Sequence, residues 1–353
     1  MSVFSSPAFE DHEGVHAFRD AEAGLSCFIA IHSTARGPAA GGVRMWAYPD
    51  EQAALDDALM LSRAMSHKNA MAGIDFGGGK TVIIGDSRTA KTPALFEALG
   101  RAVESLGGRY WGAEDVGVSP ADLAHAHKFT RYMAGLDGHP AASGDPSPVT
   151  AEGVRRGIAL CAQRALGKAV GELTVAIQGV GHVGAILADK LAAEGARLVI
   201  CDVDAAHAEA VATRTGARLV STDAIFDVDA DVFAPCALGG AISATTLPRL
   251  KAKVIAGGAN NQLQTAAIGR EAFERGITYA PDFVINGGGI INVAGEIRAL
   301  ERGERFDPAW VEGKVAGMIA TLGEVLDRSV AERTPADQVA GRMAKERIAA
   351  AKG

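Results

Sequence analysis

The chain reads as two α/β domains, the second of them a doubly wound parallel sheet. Three observations predict this. At 353 residues the chain is too long for one ordinary domain. Its second half alternates short apolar strands with helical stretches, the pattern of a parallel sheet covered on both faces. Between the halves, "LDGHPAASGDPSPVT" gathers Gly, Pro, Ser and Asp into the strongest loop signal in the sequence. The expected division is 1–140 for the first domain, completed by a C-terminal helix at about 331–353, and 141–330 for the second.

In the first domain "CFIAIHS", "TVIIG" and "RYWGAED" are expected strands, each short and rich in β-branched or aromatic residues. A helix is expected from Asp50, whose carboxylate can accept from the first free N–H groups, to about Met65. Leu55, Ala58, Leu61 and Met65 then share one face. Beyond the loop, "TAEGVRRGIALCAQRALG" is a helix, and "ELTVAIQGVGHVGAILADKLAAEGARLVICDVD" is strand, tight turn, helix, strand. Further strands end at "DVFAPCA", "AKVIAGGANNQ" and "ITYAPDFVINGGG". Helices from about Trp310 close the chain, the last packing back on the first domain.

Composition excludes several partners. A net charge of −7 with no Lys/Arg cluster argues against nucleic acid and against an anionic membrane. No apolar run approaches the ~18 residues that span a bilayer, and the first residues lack the basic start and apolar core of a secretory signal. The four cysteines (Cys27, Cys161, Cys201, Cys236) have no paired spacing. A reducing cytoplasm, no disulfide framework and no metal site are expected.

"GVGHVG" supplies Gly179, Gly181 and Gly184 after a strand and at the opening of a helix, and Asp202 follows eighteen residues after Gly184 at the end of the next strand. That context is what a dinucleotide site requires. Gly179 makes the turn, Gly181 lets the backbone approach a pyrophosphate, and Gly184 lets helix and strand pack closely. With Val180, His182 and Val183 they form a Rossmann-type cofactor turn whose helix N-terminus receives the negative charge. Asp202 is expected to bind the adenosine ribose and to repel the extra phosphate of NADP, so the cofactor is NAD. Cys236 and Ala237 in "APCALGG", and Asn260 and Asn261 in "GGANNQ", lie at later strand ends, the edge where open α/β sheets bind ligands. The Asn pair fits either the nicotinamide and its ribose or a simple turn.

"GIDFGGGKTVI" invites a phosphate-loop reading, which fails. The position of that motif's first Gly holds Ile74, and a helix precedes and a strand follows, the reverse of the required order. Lys80 stands instead behind Gly77, Gly78 and Gly79, twelve residues after Lys68, in a region otherwise poor in charge. The glycines have no evident packing use and suggest a tight turn under a close approach. Asp115, in "WGAEDVG", completes a chemical set. One lysine can hold a substrate carboxylate. A second, desolvated beside it, has its pKa lowered and can act as a base near neutral pH, while the aspartate relays a proton. Glu114 is the competing carboxylate.

"GPAAGGVRMW", "HKNAMAGIDFGGGKTVIIGD", "GRYWGAEDVG", "SGDPSPVTAEGV", "AIQGVGHVG" and "YAPDFVINGGGIINVA" follow one another in the order found in amino-acid dehydrogenases. From about residue 25 to 330 the chain resembles the glutamate/leucine/phenylalanine/valine dehydrogenase family, most closely its leucine branch. The resemblance implies that Lys68 binds the substrate carboxylate, that Lys80 activates water for attack on an imino acid, and that Asp115 carries protons to and from the amino group. It implies exchange of the pro-S nicotinamide hydride, with Thr150 and Asn261 seating the ring. Ala40, Gly41, Gly42, Met65, Ala113, Ile290 and Val293 would surround the substrate. The partners implied are an L-amino acid, its 2-oxo acid and ammonia, and a homo-oligomer, dimer or octamer. The sequence departs from the leucine pattern at Ala40 (usually Leu), His67 (Tyr), Asp145 (Asn) and Gly295 (Asp), and Ala40 touches the implied side-chain pocket. The rival activities are the same reaction on phenylalanine, a silent NAD-binding protein, and a 2-hydroxy acid dehydrogenase, which needs a catalytic His with an Arg.

Overall fold

Five strands form the first sheet of the computed structural model, which describes residues 3–351. They are β1 (Gly14–Asp20), β2 (Leu25–Ser33), β3 (Ala39–Trp46), β4 (Gly77–Ile84) and β5 (Tyr110–Glu114), in the order β1-β2-β4-β3-β5. β2 runs antiparallel to β1 and β4, whereas β3 is parallel to β4 and β5. Helix α1 (Glu51–Met71) buries Ala54, Leu55, Ala58 and Leu59 against Ala30 and Val82. On the other face α2 (Pro93–Glu104) and α3 (Pro120–His127) bury Phe96, Leu99, Val103 and Leu123 against Ile29, Ile31, Val43 and Met45. Alternate strand residues thus serve two separate cores.

Three sequence expectations change here. β3 and β1 were not anticipated; "AAGGVRMW" is so rich in Ala and Gly that it carries little strand signal. Asp50 caps α1, accepting from the Ala53 N–H at 2.8 Å, but the helix runs past Met65 to Met71 and so carries His67, Lys68 and Asn69. Its buried side includes Ser62, Ser66 and Asn69, whereas Leu61 and Met65 are only partly covered. The cause is Gly78. A Cβ there would lie 2.1 Å from the Ser66 nitrogen and 2.5 Å from the Ser62 oxygen, so the helix backbone rests directly on the strand. The three glycines are therefore not a turn. All belong to β4 and all have packing roles: a Cβ on Gly77 would meet the Ser33 carbonyl at 1.8 Å, and one on Gly79 the Tyr110 ring at 2.6 Å.

The second sheet is assembled from α4 (Ser147–Leu166), β6 (Thr174–Gln178), α5 (His182–Ala193), β7 (Arg197–Cys201), α6 (Ala205–Thr215), β8 (Arg218–Leu219), β9 (Val232–Pro235), β10 (Val254–Ile255), α7 (Ala266–Glu274), β11 (Thr278–Tyr279) and α8 (Asp282–Ile285). Its six strands are all parallel, in the order β11-β10-β9-β6-β7-β8. The chain leaves β6 to one side for β7 and β8, then returns to the other side for β9 to β11. The order reverses between β6 and β9, and ligands of such sheets bind beyond the carboxyl ends of the strands at that reversal. This is the doubly wound sheet expected from the sequence.

Helices α9 (Gly288–Arg302), α10 (Pro308–Glu332) and α11 (Ala336–Ala350) complete the chain. One compact unit comprises the chain up to Gly144, Ile290–Glu312 and the chain from Ala344; the other comprises Asp145–Gly289 and Gly313–Met343. The boundary thus falls at 144/145 rather than 140/141. Residues 290–312, assigned from sequence to the second domain, belong with the first, and only the end of the last helix joins them, where Arg347 donates to the Ala70 carbonyl at 3.2 Å. The reason for the first of these shifts is Glu296. Wholly buried on α9, it accepts from the N–H groups of Gly135 (2.8 Å), Leu136 (3.0 Å) and Ser143 (2.9 Å) and from the Ser143 hydroxyl (2.7 Å). No apolar periodicity announces such a tie. Among the described residues no helix is long and apolar enough to cross a membrane.

Glu296→Ala leaves three N–H groups without their acceptor and is expected to lower unfolding free energy by at least about 3 kcal/mol. Glu296→Gln, which keeps one acceptor oxygen, should lose less. Urea midpoints of the two variants check the order.

Candidate active site

In the first unit the charged set gathers around β3 and β4. Lys80, in β4 beside Ala30 of β2, is buried and its Nζ donates to Asp115 Oδ2. Asp115 directly follows β5, and Arg44 of β3 donates to the same oxygen through Nε at 3.1 Å. Arg44 Nη1 reaches Asp57 Oδ2 of α1 at 3.1 Å, and the Tyr48 hydroxyl donates to that oxygen too. The carboxylate facing Lys80 is therefore Asp115 and not Glu114, which the sequence left open. Burial lowers the Lys80 pKa, with Asp115 opposing and Arg44 reinforcing. Burial would raise Asp115, but the Lys80 and Arg44 charges outweigh it and hold the carboxyl at about 2.

Two glycines make room for this pair. A Cβ on Gly42 would stand 2.6 Å from the Asp115 Cβ and 2.9 Å from Lys80 Nζ; one on Gly41 would strike the Gly79 carbonyl at 1.8 Å and approach Met65 Cγ at 3.2 Å. Ala40, two residues from Gly42 on β3 and so on the same face, is buried and pairs with Gly78 and Trp111. Ala113, paired with Gly42, is buried as well. Lys68 lies half-buried in the last turn of α1. Ile290 and Val293 lie on α9, the first partly exposed and the second buried. His67 stands edge-on to His32 at 6.4 Å, and burial pushes it down to about 4, so it is neutral at neutral pH.

In the second unit the three glycines of "GVGHVG" meet three different constraints. Gly179, just after β6, has φ +89°, and a Cβ there would lie 2.7 Å from the Ala237 Cβ. Gly184 packs against the Gly179 carbonyl, 2.1 Å from where its Cβ would be. Nothing lies within 4 Å of a Cβ on Gly181, the residue that opens α5. The backbone at that helix N-terminus is thus clear of protein, as a pyrophosphate requires. Asp202, following β7, accepts from the Val180 N–H at 2.7 Å and the Asp204 N–H at 3.0 Å. Those backbone bonds outweigh burial and hold its carboxyl below the usual range. His182 is exposed and Val183 half-buried.

The later loops converge on the same strand ends. Cys236 accepts from the Gly258 N–H through Sγ at 3.4 Å, and burial pushes its thiol up to about 11, so it is no nucleophile at neutral pH. Asn261 has φ +51°, and its carbonyl accepts from the Gly240 N–H at 2.7 Å. Asn260 is held at its side-chain oxygen by Asn286 Nδ2 at 2.8 Å. Gln262 Nε2 donates to the Gly257 and Ala259 carbonyls at 2.8 and 3.0 Å. Thr150, in the first turn of α4, donates to the Pro146 carbonyl at 3.0 Å, and a Cβ on Gly289 would lie 3.0 Å from its Oγ1.

Two family descriptions match the chain: "Glu/Leu/Phe/Val dehydrogenase, dimerisation domain" over residues 12–132, and "Glutamate/Leucine/Phenylalanine/Valine dehydrogenase" over 200–352. A leucine dehydrogenase of Thermoactinomyces intermedius is 45% identical over 349 residues, covering 99% of this chain and 94% of that protein. The chain belongs to the glutamate/leucine/phenylalanine/valine dehydrogenase family. It is an amino-acid dehydrogenase of the pyridine-nucleotide-dependent kind, close to the leucine branch. A phenylalanine dehydrogenase of Bacillus thermotolerans is 41% identical over 96% of this chain and 89% of that protein. The crystal structure of an L-tryptophan dehydrogenase from Nostoc punctiforme superposes with a TM-score of 0.85 at 37% identity, over 97% of each chain.

Sequence reasoning missed the supporting residues Arg44, Tyr48, Asp57, Asn69, Gln262 and Asn286. Arg44 was the one with a signal, a lone charge inside an otherwise apolar stretch. Asn69 had none: its Nδ2 donates to the Gly77 carbonyl at 2.5 Å and the Ala40 carbonyl at 3.3 Å, tying α1 to both strands of the site.

Gly42→Ala places a methyl group against Lys80 Nζ and Asp115. The variant is expected to fold, to bind NADH normally and to lose at least about tenfold in kcat, since misplaced catalytic groups cost rate. Stopped-flow turnover with parallel NADH titration checks it.

Proposed function

We propose that this chain catalyses the reversible NAD-dependent oxidative deamination of L-amino acids with aliphatic side chains, leucine and other branched ones first, giving the 2-oxo acid, ammonia and NADH. The observation that carries the reading is the buried Lys80–Asp115 pair, set under the Cβ-free backbone of Gly41 and Gly42. Lys68 holds the substrate carboxylate. Lys80 takes a proton from water as the water adds to the imino carbon, and Asp115 carries the proton that lets ammonia leave. A carboxyl held at about 2 is a poor proton carrier. Once Lys80 has lost its proton, the largest attraction on Asp115 is gone and its proton affinity rises, so the pair works as one unit. The apolar residues Ala40, Met65, Ala113, Ile290 and Val293 reject charged side chains for want of a partner.

NAD supplies the hydride acceptor when bound. Gly179 to Gly184 would receive its pyrophosphate, Asp202 its adenosine ribose, and Thr150, Cys236, Ala237, Asn260 and Asn261 the nicotinamide end. The clear space over Gly181 supports a dinucleotide, and the carboxylate of Asp202 supports NAD over NADP. The family description of residues 12–132 as a dimerisation domain supports a homo-oligomer; dimer or octamer is what the family resemblance implies. Four free cysteines suit a cytoplasmic enzyme. A second reading, phenylalanine as preferred substrate by the same mechanism, is favoured by Ala40, whose small side chain widens the pocket, and by the 41% identity to a phenylalanine dehydrogenase.

Lys80→Ala is expected to lower kcat by ~10²–10⁴ with NADH binding unchanged. In the native enzyme the base must be neutral, so kcat/KM rises with pH through a Lys80 pKa that burial has lowered. Asp115→Asn removes the charge that raises that pKa, so the acid limb of its residual activity should move to lower pH. A limb that stays in place removes Lys80 from the base role.

An assay of leucine, valine, methionine and phenylalanine with NAD and NADP tests the whole reading. NAD should be preferred by at least about a hundredfold, and leucine should lead. Ala40→Leu should suppress methionine and phenylalanine by roughly tenfold or more while sparing valine, a pocket methylene being worth about 1–3 kcal/mol. Phenylalanine as the best native substrate by tenfold would hand the assignment to the second reading.

A further inference from the structure

The second unit contains a cavity of about 480 Å³ that none of the cofactor residues lines. It lies at the start of β11, enclosed by Phe273 of α7, Ile277 and Tyr279, Leu326 and Val330 of α10, and Asp337 of α11. Its size is that of a small-molecule site, and its walls have the usual make-up, mostly apolar with a few polar groups. Two features make it more than a packing gap. Asp337 Oδ1 is buried and has no hydrogen-bond partner among the described residues. Val330, at the wall, is 77% exposed, an apolar side chain left at the mouth.

The polar groups select the head of a ligand. An orphan carboxylate oxygen needs a donor, and a buried one needs it most. Arg164, the cation of the lining, is already engaged: it donates to the Gly323 carbonyl at 2.9 Å and grips Asp327 through bonds of 2.5 and 3.2 Å. An anionic head therefore finds no open cation, whereas an ammonium finds Asp337. Burial pushes the Asp337 carboxyl up and the Asp282 charge adds to this, outweighing the backbone N–H groups at the start of α11 and the Arg270 charge, so a bound cation relieves the net strain.

A continuous chain of contacts leads from this cavity to the cofactor loop. Tyr279, in the wall, accepts at its hydroxyl from the Asp282 N–H at 3.3 Å. The Asp282 carboxylate accepts from the Gln262 N–H at 3.2 Å, and the Gln262 side chain holds the Gly257 and Ala259 carbonyls. Asn260 and Asn261 follow directly. We propose that this cavity is a regulatory site for a small molecule bearing a primary ammonium on an apolar tail, and that its occupation tightens dinucleotide binding by fixing the 257–262 loop. The ammonium offsets the repulsion between Asp337 and Asp282, which strengthens the carboxylate's hold on Gln262. The second half of the proposal rests on the assignment of Asn260 and Asn261 to the cofactor. Two sources carry the ammonium, a free amine and an amino acid; the amino acid's carboxylate meets no open cation, so the free amine fits better, and the 2-oxo acid lacks the ammonium and does not fit.

The probe is 2-phenylethylamine, titrated calorimetrically against the full chain, with 2-phenylethanol as the uncharged isostere and NADH affinity read by fluorescence. Saturable amine binding is expected, at least about tenfold tighter than the alcohol, with NADH bound about fivefold more tightly in its presence and the amine strengthened by the same factor in return. Asp337→Asn and the mouth-blocking Val330→Trp should abolish both effects, leaving turnover without amine and thermal melting unchanged. Displacement of the amine from the native chain by L-phenylalanine assigns the amino acid as a source, and lack of it assigns the free amine. Equal binding of the alcohol, or amine binding that survives both substitutions, overturns the site; amine binding without any change in NADH affinity overturns the coupling. Failure of NADH itself to bind would fall on the proposed function instead.

Discussion

A lysine ammonium in the middle of a sheet is the constraint around which the first unit is organised. Desolvating such a charge costs several kcal/mol unless a partner is held against it. Asp115 is that partner, and it is shared: Arg44 bonds the same carboxylate oxygen and carries the pairing on to Asp57 and Tyr48. Two cations and two carboxylates thus balance, tying β4, β3, α1 and the turn after β5 into one network. The backbone has to yield space for it. Gly42 lacks a Cβ because Lys80 and Asp115 occupy that position, and Gly78 lacks one because α1 lies against the strand.

This explains which parts of the molecule were legible in the sequence. The strand–turn–helix of "GVGHVG" was, because its demands are local. Gly179 needs a left-handed φ, Gly184 a close helix contact and Gly181 a clear approach, and all three fall within six residues of one strand end. The doubly wound order followed from alternation of strands and helices. The first unit was harder. Its α1 buries serines and an asparagine where an apolar stripe was expected, since the glycine strand beneath admits only small groups. Its β3 is built of Ala and Gly because the Gly79 carbonyl crowds Gly41, and Lys80 and Asp115 crowd Gly42. Glu114 and Asp115 are neighbours in sequence, and only the end of β5 decides which one turns toward Lys80. Glu296, more than a hundred and fifty residues from its partners, had no local signal at all.

The two glycine-rich segments also show that composition alone does not define a site. In "GVGHVG" the glycines permit a turn and leave the backbone at the helix N-terminus clear of protein. In "GGGKT" they sit in regular β4 and permit approach by other protein: Ser33, α1 and Tyr110. The segment resembling a phosphate loop is thus a floor for packing, and the packing buries its lysine and lowers that lysine's pKa. A loop lysine, solvated on all sides, would keep its ordinary pKa and could not serve as a base near neutral pH.

From this a limit on specificity follows. Ala40, Gly41 and Gly42 present little side chain, so the wall they form is largely main chain, anchored where Asn69 donates to the Ala40 carbonyl and the Tyr110 hydroxyl to the Gly41 carbonyl at 3.2 Å. A wall of this kind cannot be enlarged by trimming a side chain; it changes only by adding atoms or by shifting a strand that also carries Arg44. Substitution at Gly41 or Gly42 adds atoms where none fit. Ala40 is the position on this strand where the leucine pattern that the chain resembles carries Leu. Under the proposed function, substrate range can vary at Ala40 while Lys80 and Asp115 stay fixed, which fits a family whose members are named for leucine, valine and phenylalanine.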